Sequence, residues 1–227
     1  MIRYHLQRVM KSHEMGLLGD DILKELIEKL PMIDELICEI EKTFDLNYPP
    51  IIIDPNLIIV RYPTSFATTV IYASTQIQKL NDKLTLCVEM TLPFLLFANK
   101  DLIKACLAHE FLHYIFATII IHRREFDKLL GQKPISLEVL MGFDDTYLVK
   151  PENWMKDSEI ISLIKRFFNP IIKDSDLEEK IQENWIKKSL PIKEVRPEDL
   201  QIRIPILEID KISLDRKILE YKDKYSY

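Results

Sequence analysis

The 227-residue sequence has few cysteines, few glycines and no obvious long hydrophobic run. Its three cysteines are an odd number and none belongs to a CxxC pair, which argues against a disulfide framework and favours a reducing compartment. The N-terminus lacks the apolar core of a signal peptide. The most apolar stretches, residues 91–98 and 114–121, look too short to cross a bilayer. We therefore expect a cytoplasmic protein with no membrane partner.

Excess positive charge is also missing, because the formal net charge is -5 at pH 7. Nucleic acid is therefore not expected as the main partner. Hydrophobic residues make up 47% and charged residues 30% of the chain, a balance typical of a globular domain with its own core. The low glycine count of four, together with abundant isoleucine, lysine and glutamate, resembles the composition of proteins from heat-loving microbes.

The hydrophobic pattern predicts helices toward both ends of the chain and strands between them. Helical spacing of apolar residues is found over residues 1–15, 20–44, 99–130, 135–141, 151–168 and 174–190. Runs rich in β-branched residues predict strands at 51–53, 57–61, 68–73, 84–90 and 201–209. Pro31 is expected to kink or divide the second helix, Asn81-Asp82 to form a turn, and Asn99 to cap the central helix.

The most informative string is His109-Glu110-Phe111-Leu112-His113, an HExxH motif within the predicted central helix. Residues four apart lie on one face of a helix, so both imidazoles can point at one ion, and zinc accepts imidazole nitrogen. Glu110 projects beside the same face, where a carboxylate can act as general base on water. A pair of surface histidines is the alternative, but burial in such an apolar helix without a partner costs several kcal/mol.

A third protein ligand is needed to complete a catalytic zinc site of this type. His122 follows His113 by nine residues, half a turn out of phase, so we expect it to face solvent. Glu138, 25 residues after His113, is the first choice because it is the lone acid in an apolar run. Glu159 is the alternative third ligand. Weaker candidates are Glu152, Asp144 and Asp145.

On these residues the segment resembles the zincin metalloproteases and, within them, the gluzincins, whose third ligand is a glutamate. It is similar to minimal archaeal gluzincins and to the core of the CAAX prenyl protease family, over roughly residues 57–145. The shared order is upstream strands followed by the HExxH helix. The sequence departs from the common gluzincin pattern downstream, where an aspartate follows the ligand glutamate by four residues. Here Gly142 follows Glu138 and Leu163 follows Glu159 at that spacing.

The resemblance implies an assignment for the remaining site residues. His109, His113 and a later glutamate would bind Zn²⁺, with Glu110 as the base. The strand 84–90 would form the edge of the cleft and pair with an extended substrate by strand addition. The residues expected on that edge are Leu84, Thr85, Leu86, Val88 and Met90. Tyr147 and Tyr114 are the candidate stabilisers of the oxyanion.

The expected fold is α+β and zincin-like, with a small mixed β-sheet packed on the HExxH helix and additional N- and C-terminal helices. Residues 1–46 would form an N-terminal helical segment, 47–191 the catalytic body, and 192–227 a C-terminal extension that covers apolar faces or the cleft, as in a zymogen. The predicted function is a zinc-dependent metallopeptidase acting on protein or peptide substrates. The alternative is a non-catalytic zinc-site protein that acts as a regulatory or partner-binding module.

Overall fold

The computed structural model describes residues 4–61, 68–123, 163, 166–167, 176–196 and 206–219. The helices in these ranges are α1 (Gln7–Glu14), α2 (Asp20–Phe44), α3 (Leu92–Phe97), α4 (Lys100–Arg123) and α5 (Leu177–Ile181), which continues as a π-helical turn at Gln182–Ile186. The strands are β1 (Tyr4–His5), β2 (Ile51–Asp54), β3 (Leu57–Arg61), β4 (Thr68–Ile71), β5 (Ala73–Leu80), β6 (Lys83–Thr91), β7 (Ile192–Val195) and β8 (Ile212–Ser213). Helices and small mixed sheets together make the fold α+β, as predicted.

The larger sheet has five strands in the order β1-β2-β6-β5, with β8 also pairing with β6. Strands β1, β2 and β8 run parallel to their neighbours, whereas β5 and β6 form an antiparallel hairpin. The smaller sheet has the order β4-β3-β7, with β3 antiparallel to β4 and parallel to β7. The larger sheet matters for the candidate site, because α4 packs against both strands of its hairpin.

The β5–β6 hairpin closes through Asn81 and Asp82, as the sequence predicts. Leu80 pairs with Lys83, so the loop has two residues, and both have positive φ values of 48° and 63°. A two-residue loop with two positive φ angles matches the right-handed twist of the flanking strands, and Asn and Asp tolerate this conformation better than most residues. The turn therefore fixes the pairing of β5 with β6.

Helix α4 begins at the predicted cap. The backbone N–H of Leu102 donates to the Asn99 side-chain oxygen at 2.8 Å, and the N–H of Ile103 donates to the Asn99 carbonyl at 3.1 Å. Both contacts satisfy donors that the first turn of a helix leaves without intrahelical partners. Most described residues of α4 are buried, and the helix packs against α2 as well as the sheet. It is thus a core helix.

Several predictions about secondary structure were wrong. Pro31 does not divide α2, which runs over 25 residues, whereas a kink at Pro31 stays a prediction. The first helix begins at Gln7, because Tyr4–His5 is a strand. The strand expected at 201–209 is not found in its described part, because Ile206–Lys211 is a 3-10 helix. The strand expected at the edge of the cleft lies inside the sheet. Residues 88–91 of β6 pair with β2 on one side, 84–85 pair with β8, and the whole strand pairs with β5.

Both terminal segments contribute strands to the sheets of the expected body. In the N-terminal segment, β1 pairs with β2. In the segment after residue 191, β7 pairs with β3 and β8 pairs with β6. Ile218, in a helical turn after β8, is completely buried in the main core. The described parts of these segments therefore share the core with the central region.

The apolar part of α4 is longer than the short apolar stretches that the sequence suggests. Segment Lys100–Ile119 has the length and the mean hydropathy, 1.3, of a membrane-spanning helix. However, 88% of its most apolar window is buried within the fold. The core helix of a soluble protein has the same properties, so this is weak evidence for a membrane. The cytoplasmic location and the lack of a membrane partner stay predictions.

Candidate metal site on helix α4

The two histidines of the HExxH motif face each other on consecutive turns of α4. Their Nε2 atoms lie 2.9 Å apart, and their ring centroids lie 4.6 Å apart with the planes inclined by 64°. Two nitrogens bound to one tetrahedral zinc at about 2.05 Å would be separated by about 3.3 Å. The observed separation is close to that requirement. The two Nε2 atoms therefore face one position, at a distance that a hydrogen bond between the rings also explains, and the zinc site stays a prediction.

The electrostatics of the pair also suit a metal. Burial lowers the pKa of His109 to about 4. It also lowers the pKa of His113 well below its ordinary value, and neighbouring His109 adds to that effect. Both rings are therefore neutral at pH 7, and imidazole must be neutral to bind a metal. Two neutral imidazoles whose Nε2 atoms face each other are held together either by an N–H of one ring that donates to the other or by a cation between them.

Glu110, the residue after His109 in α4, is buried, with only 5% of its surface exposed. The Thr75 hydroxyl on β5 donates to the Oε2 atom of Glu110 at 2.8 Å and lies 3.1 Å from the Glu110 carbonyl oxygen. One turn earlier in the helix, Cys106 is kept as a thiol, because burial raises its pKa and the Glu110 charge raises it further. The motif therefore carries a buried carboxyl that accepts a hydrogen bond from the sheet.

Aromatic packing holds the helix in place just before the motif. The Tyr48 hydroxyl donates to the Leu107 carbonyl oxygen at 2.8 Å, and the Tyr48 ring stacks on Phe111 at a centroid distance of 5.2 Å. Phe44, at the end of α2, meets the same Phe111 ring edge-on at 5.4 Å. Phe111 belongs to the HExxH string itself, so these contacts fix the rotation of α4 and the direction in which His109 and His113 point.

The structure does not describe the expected third ligand. Glu138 and Glu159 lie outside the described residues, as do Asp144, Asp145, Glu152 and Tyr147. Among the described residues, no group of three or more His, Cys, Asp or Glu side chains is arranged to hold a metal. His122 is exposed at the end of α4, as predicted. The described residues of the motif therefore provide two candidate nitrogen ligands and one carboxyl group.

Tyr114, a candidate oxyanion stabiliser, lies within the aromatic core. Its ring stacks with Phe111 at a centroid distance of 6.1 Å, and 7% of the residue is exposed. Burial raises its pKa, and the charge of Asp215 raises it further. The phenol therefore keeps its proton at neutral pH and remains a hydrogen-bond donor. Its role as an oxyanion stabiliser stays a prediction.

The residues expected to bind substrate on β6 have other neighbours. Leu86, Val88 and Met90 are buried in the core beneath α4, while Leu84 and Thr85 pair with β8. Among the described strands, β5 lies beside the motif and is the last in the order of the larger sheet. Thr75 on this strand was missed in the sequence. Thr75 pairs with Val88 in the hairpin, and this pairing shows that the Thr75 side chain lies on the same face of the sheet as a buried core residue.

Comparison of the chain with protein-family models, with curated proteins and with solved structures gave no match.

Proposed function

We propose that this protein is a zinc-dependent metallopeptidase of zincin-like fold, in which Glu110 acts as the general base. The observation that carries the proposal is the convergence of His109 and His113, with Nε2 atoms 2.9 Å apart, on the helix that also carries the buried Glu110. A single helix presents two neutral nitrogen ligands and a carboxylate within one turn. This combination provides two of the three protein ligands, and the base, that hydrolysis by zinc-activated water requires.

His109 and His113 would hold the zinc, with Glu138 or alternatively Glu159 as the third protein ligand. The two imidazoles are suited to this because α4 is buried, capped at Asn99 and fixed by Tyr48 and its neighbours. Zinc, when bound, supplies a Lewis acid that polarises a carbonyl and lowers the pKa of water. The helix supplies two ligands with little further ordering, because its backbone is already fixed.

Glu110 would move the proton. Its carboxylate accepts a proton from the attacking water and passes it to the nitrogen of the leaving amine, so one group serves both steps. Its burial supports this role, because little bulk water competes with the reacting water for the carboxylate. Tyr114 and Tyr147 are the candidate donors to the developing oxyanion. Protein or peptide is the proposed substrate.

An extended substrate is proposed to lie along β5 and not along β6. Strand β5 ends the order of the described sheet, and Thr75 brings its inner face against Glu110. A strand at the end of a sheet offers backbone donors and acceptors to an added strand. The order of strands followed by the HExxH helix supports the zincin-like fold.

The test combines metal analysis with cleavage of an unfolded protein substrate. Purified protein should retain about one zinc per chain. Glu110→Gln should abolish cleavage and keep the zinc, because it removes a base and not a ligand. Glu28→Gln is a matched control, since Glu28 is an exposed glutamate on α2. Zinc-loaded protein that cleaves none of a broad set of peptides, or a Glu110→Gln variant with full activity, would contradict the proposal.

Burial of the site supports the second function, a non-catalytic zinc-site protein serving as a regulatory or partner-binding module. Glu110 is 5% and His113 8% exposed, and structural zinc sites are closed to solvent. In that case zinc would be retained without turnover, and X-ray absorption would show four protein ligands. A position occupied by solvent would instead favour the peptidase. The same spectrum would distinguish Glu138 and Glu159 when each is replaced by glutamine.

A further inference from the structure

The contact between Thr75 and Glu110 joins the sheet to the middle of the HExxH motif. The Thr75 hydroxyl oxygen is 2.8 Å from the Oε2 atom of Glu110 and 3.1 Å from its backbone carbonyl oxygen. A hydroxyl has one proton to donate, and a carboxylate is the stronger acceptor. The shorter contact is therefore the principal hydrogen bond.

The position of Thr75 makes this bond well defined. Thr75 lies on β5 opposite Val88 of β6, and only 4% of its surface is exposed. Threonine is branched at Cβ, which restricts its side-chain rotation. A buried, branched donor on a paired strand holds the Glu110 carboxylate in one orientation better than a solvent molecule would.

We propose that Thr75 is a positioning residue for Glu110. The inference rests on the proposed peptidase function and adds a second element, β5, to its machinery. The hydroxyl holds Oε2 through a hydrogen bond and so fixes the orientation of the carboxylate that would accept the proton from water. In this arrangement the helix sets the position of the base along α4, and the strand sets the rotation of its carboxylate. A general base must be aligned within hydrogen-bond reach of the proton that it removes.

A purely structural role for Thr75 makes different predictions. If the hydroxyl only ties β5 to α4, its removal should lower stability and leave the turnover of the folded protein unchanged. If it orients the base, its removal should lower kcat with little change in KM, because the interaction acts on the chemical step. Serine keeps the hydroxyl and lacks only the methyl group. It should therefore restore the rate if the hydrogen bond is responsible.

The experiment measures kcat, KM and zinc content of the wild-type, Thr75→Val and Thr75→Ser proteins with one peptide substrate. Thr91→Val is the matched control, because Thr91 is a buried threonine of the same sheet whose hydroxyl makes no hydrogen bond to the described residues. Thr75→Val should lower kcat about 10- to 100-fold, as expected for loss of a hydrogen bond to a charged group. The kcat of Thr75→Ser should stay within about threefold of the wild-type value, and so should the kcat of Thr91→Val, because neither variant loses that hydrogen bond.

Each outcome supports or overturns the inference. If Thr75→Val has the wild-type kcat, while the wild type cleaves and Glu110→Gln does not, the inference about Thr75 is wrong and the proposed function still stands. Thr75→Ser as slow as Thr75→Val would also overturn it, because packing would then explain the loss. A wild type that retains zinc and cleaves nothing overturns the proposed function and, with it, this inference. Should Thr75→Val fail to fold by circular dichroism, Thr75→Ala is judged by the same criteria.

Discussion

The Nε2 atoms of His109 and His113 lie 2.9 Å apart, close to the separation that one shared zinc ion imposes. Replacing either histidine with alanine should weaken zinc binding about 100-fold or more, since loss of even an outer-shell partner costs 10- to 100-fold. Zinc should raise the melting temperature of the wild type and not of the variants. At a zinc concentration of about 100 times Kd, binding adds about 2.7 kcal/mol to stability. Isothermal titration and thermal melting check these values.

His122→Ala is the control for the histidine variants. His122 lies on the same helix but is exposed, so its loss should leave zinc affinity and melting temperature unchanged. Equal weakening by His122→Ala and His109→Ala would show that the measured zinc binds at the protein surface. That result would contradict the assignment of the ligands.

The sequence was sufficient wherever the structure depends on local spacing. The cap at Asn99, the turn at Asn81-Asp82 and the shared face of His109 and His113 follow from residues at most four apart in the chain. Strand order depends on long-range pairing, which a single sequence does not display. For that reason β6 was wrongly placed at the edge, and Thr75, 35 residues before Glu110, was missed.

Pro31 shows a further limit of local rules. Proline within a helix removes one hydrogen bond and crowds the preceding turn, so the sequence predicts a kink or a break. Helix α2 nevertheless continues through it, and Ile33, Leu36, Ile37 and Ile40 on its far side are all buried in the core. Burial of four large apolar side chains, at about 1.5–3 kcal/mol each, outweighs a cost of about 3 kcal/mol for the proline. Tertiary packing thus decides the outcome.

Removal of the Asn99 cap should destabilise the helix that carries the site. Asn99→Ala deletes the acceptor for the Leu102 N–H, and such changes cost about 0.5–2 kcal/mol. Asn99→Asp keeps an acceptor at the same position and should remain within a few tenths of a kcal/mol of wild type. Urea unfolding followed by circular dichroism measures both. Equal stability of Asn99→Ala and wild type would show that the cap contributes nothing.

Tyr48 should matter through its ring more than through its hydroxyl. Tyr48→Phe removes the hydrogen bond to the Leu107 carbonyl and should cost about 1 kcal/mol. Tyr48→Leu also removes the stacking on Phe111 and leaves unfilled volume, so its cost should be higher by about 1–2 kcal/mol. Denaturant titration gives both values. A larger loss in the phenylalanine variant than in the leucine variant would contradict this order.

A buried carboxyl pair links α1 to the larger sheet. Arg8 donates to Glu89 at 2.7 Å and to Asp54 at 3.2 Å, while Asn56 donates twice to Asp54. Burial and then the hydrogen bond with Asp54 raise the pKa of Glu89. Burial by itself would raise the pKa of Asp54 as well. The hydrogen bonds from Glu89 and Asn56 outweigh it and lower the pKa of Asp54. A proton shared by the pair therefore lies chiefly on Glu89.

The two shifts act on stability in opposite pH ranges. Because the folded pKa of Glu89 lies above its ordinary value of 4.5, the stability it contributes is complete below that value and is lost as pH rises through the folded pKa. The folded pKa of Asp54 lies below its ordinary value of 3.8. The stability that Asp54 contributes is therefore present above pH 3.8 and is lost as pH falls through the folded pKa. Glu89→Gln should therefore gain stability relative to wild type as pH rises.

Asp54→Asn is the matched comparison for this pH dependence. It should lower the stability at pH 7 by about 1–3 kcal/mol, since it removes a charged acceptor from Arg8 and Asn56. Glu89→Gln imitates the protonated acid and keeps an oxygen for Arg8, while the Gln78 amide can rotate to meet the new side chain. The free energy of unfolding, measured from pH 2 to 9 for all three proteins, separates the two carboxyls. If Glu89→Gln and the wild type run parallel across that range, Glu89 does not bind the proton.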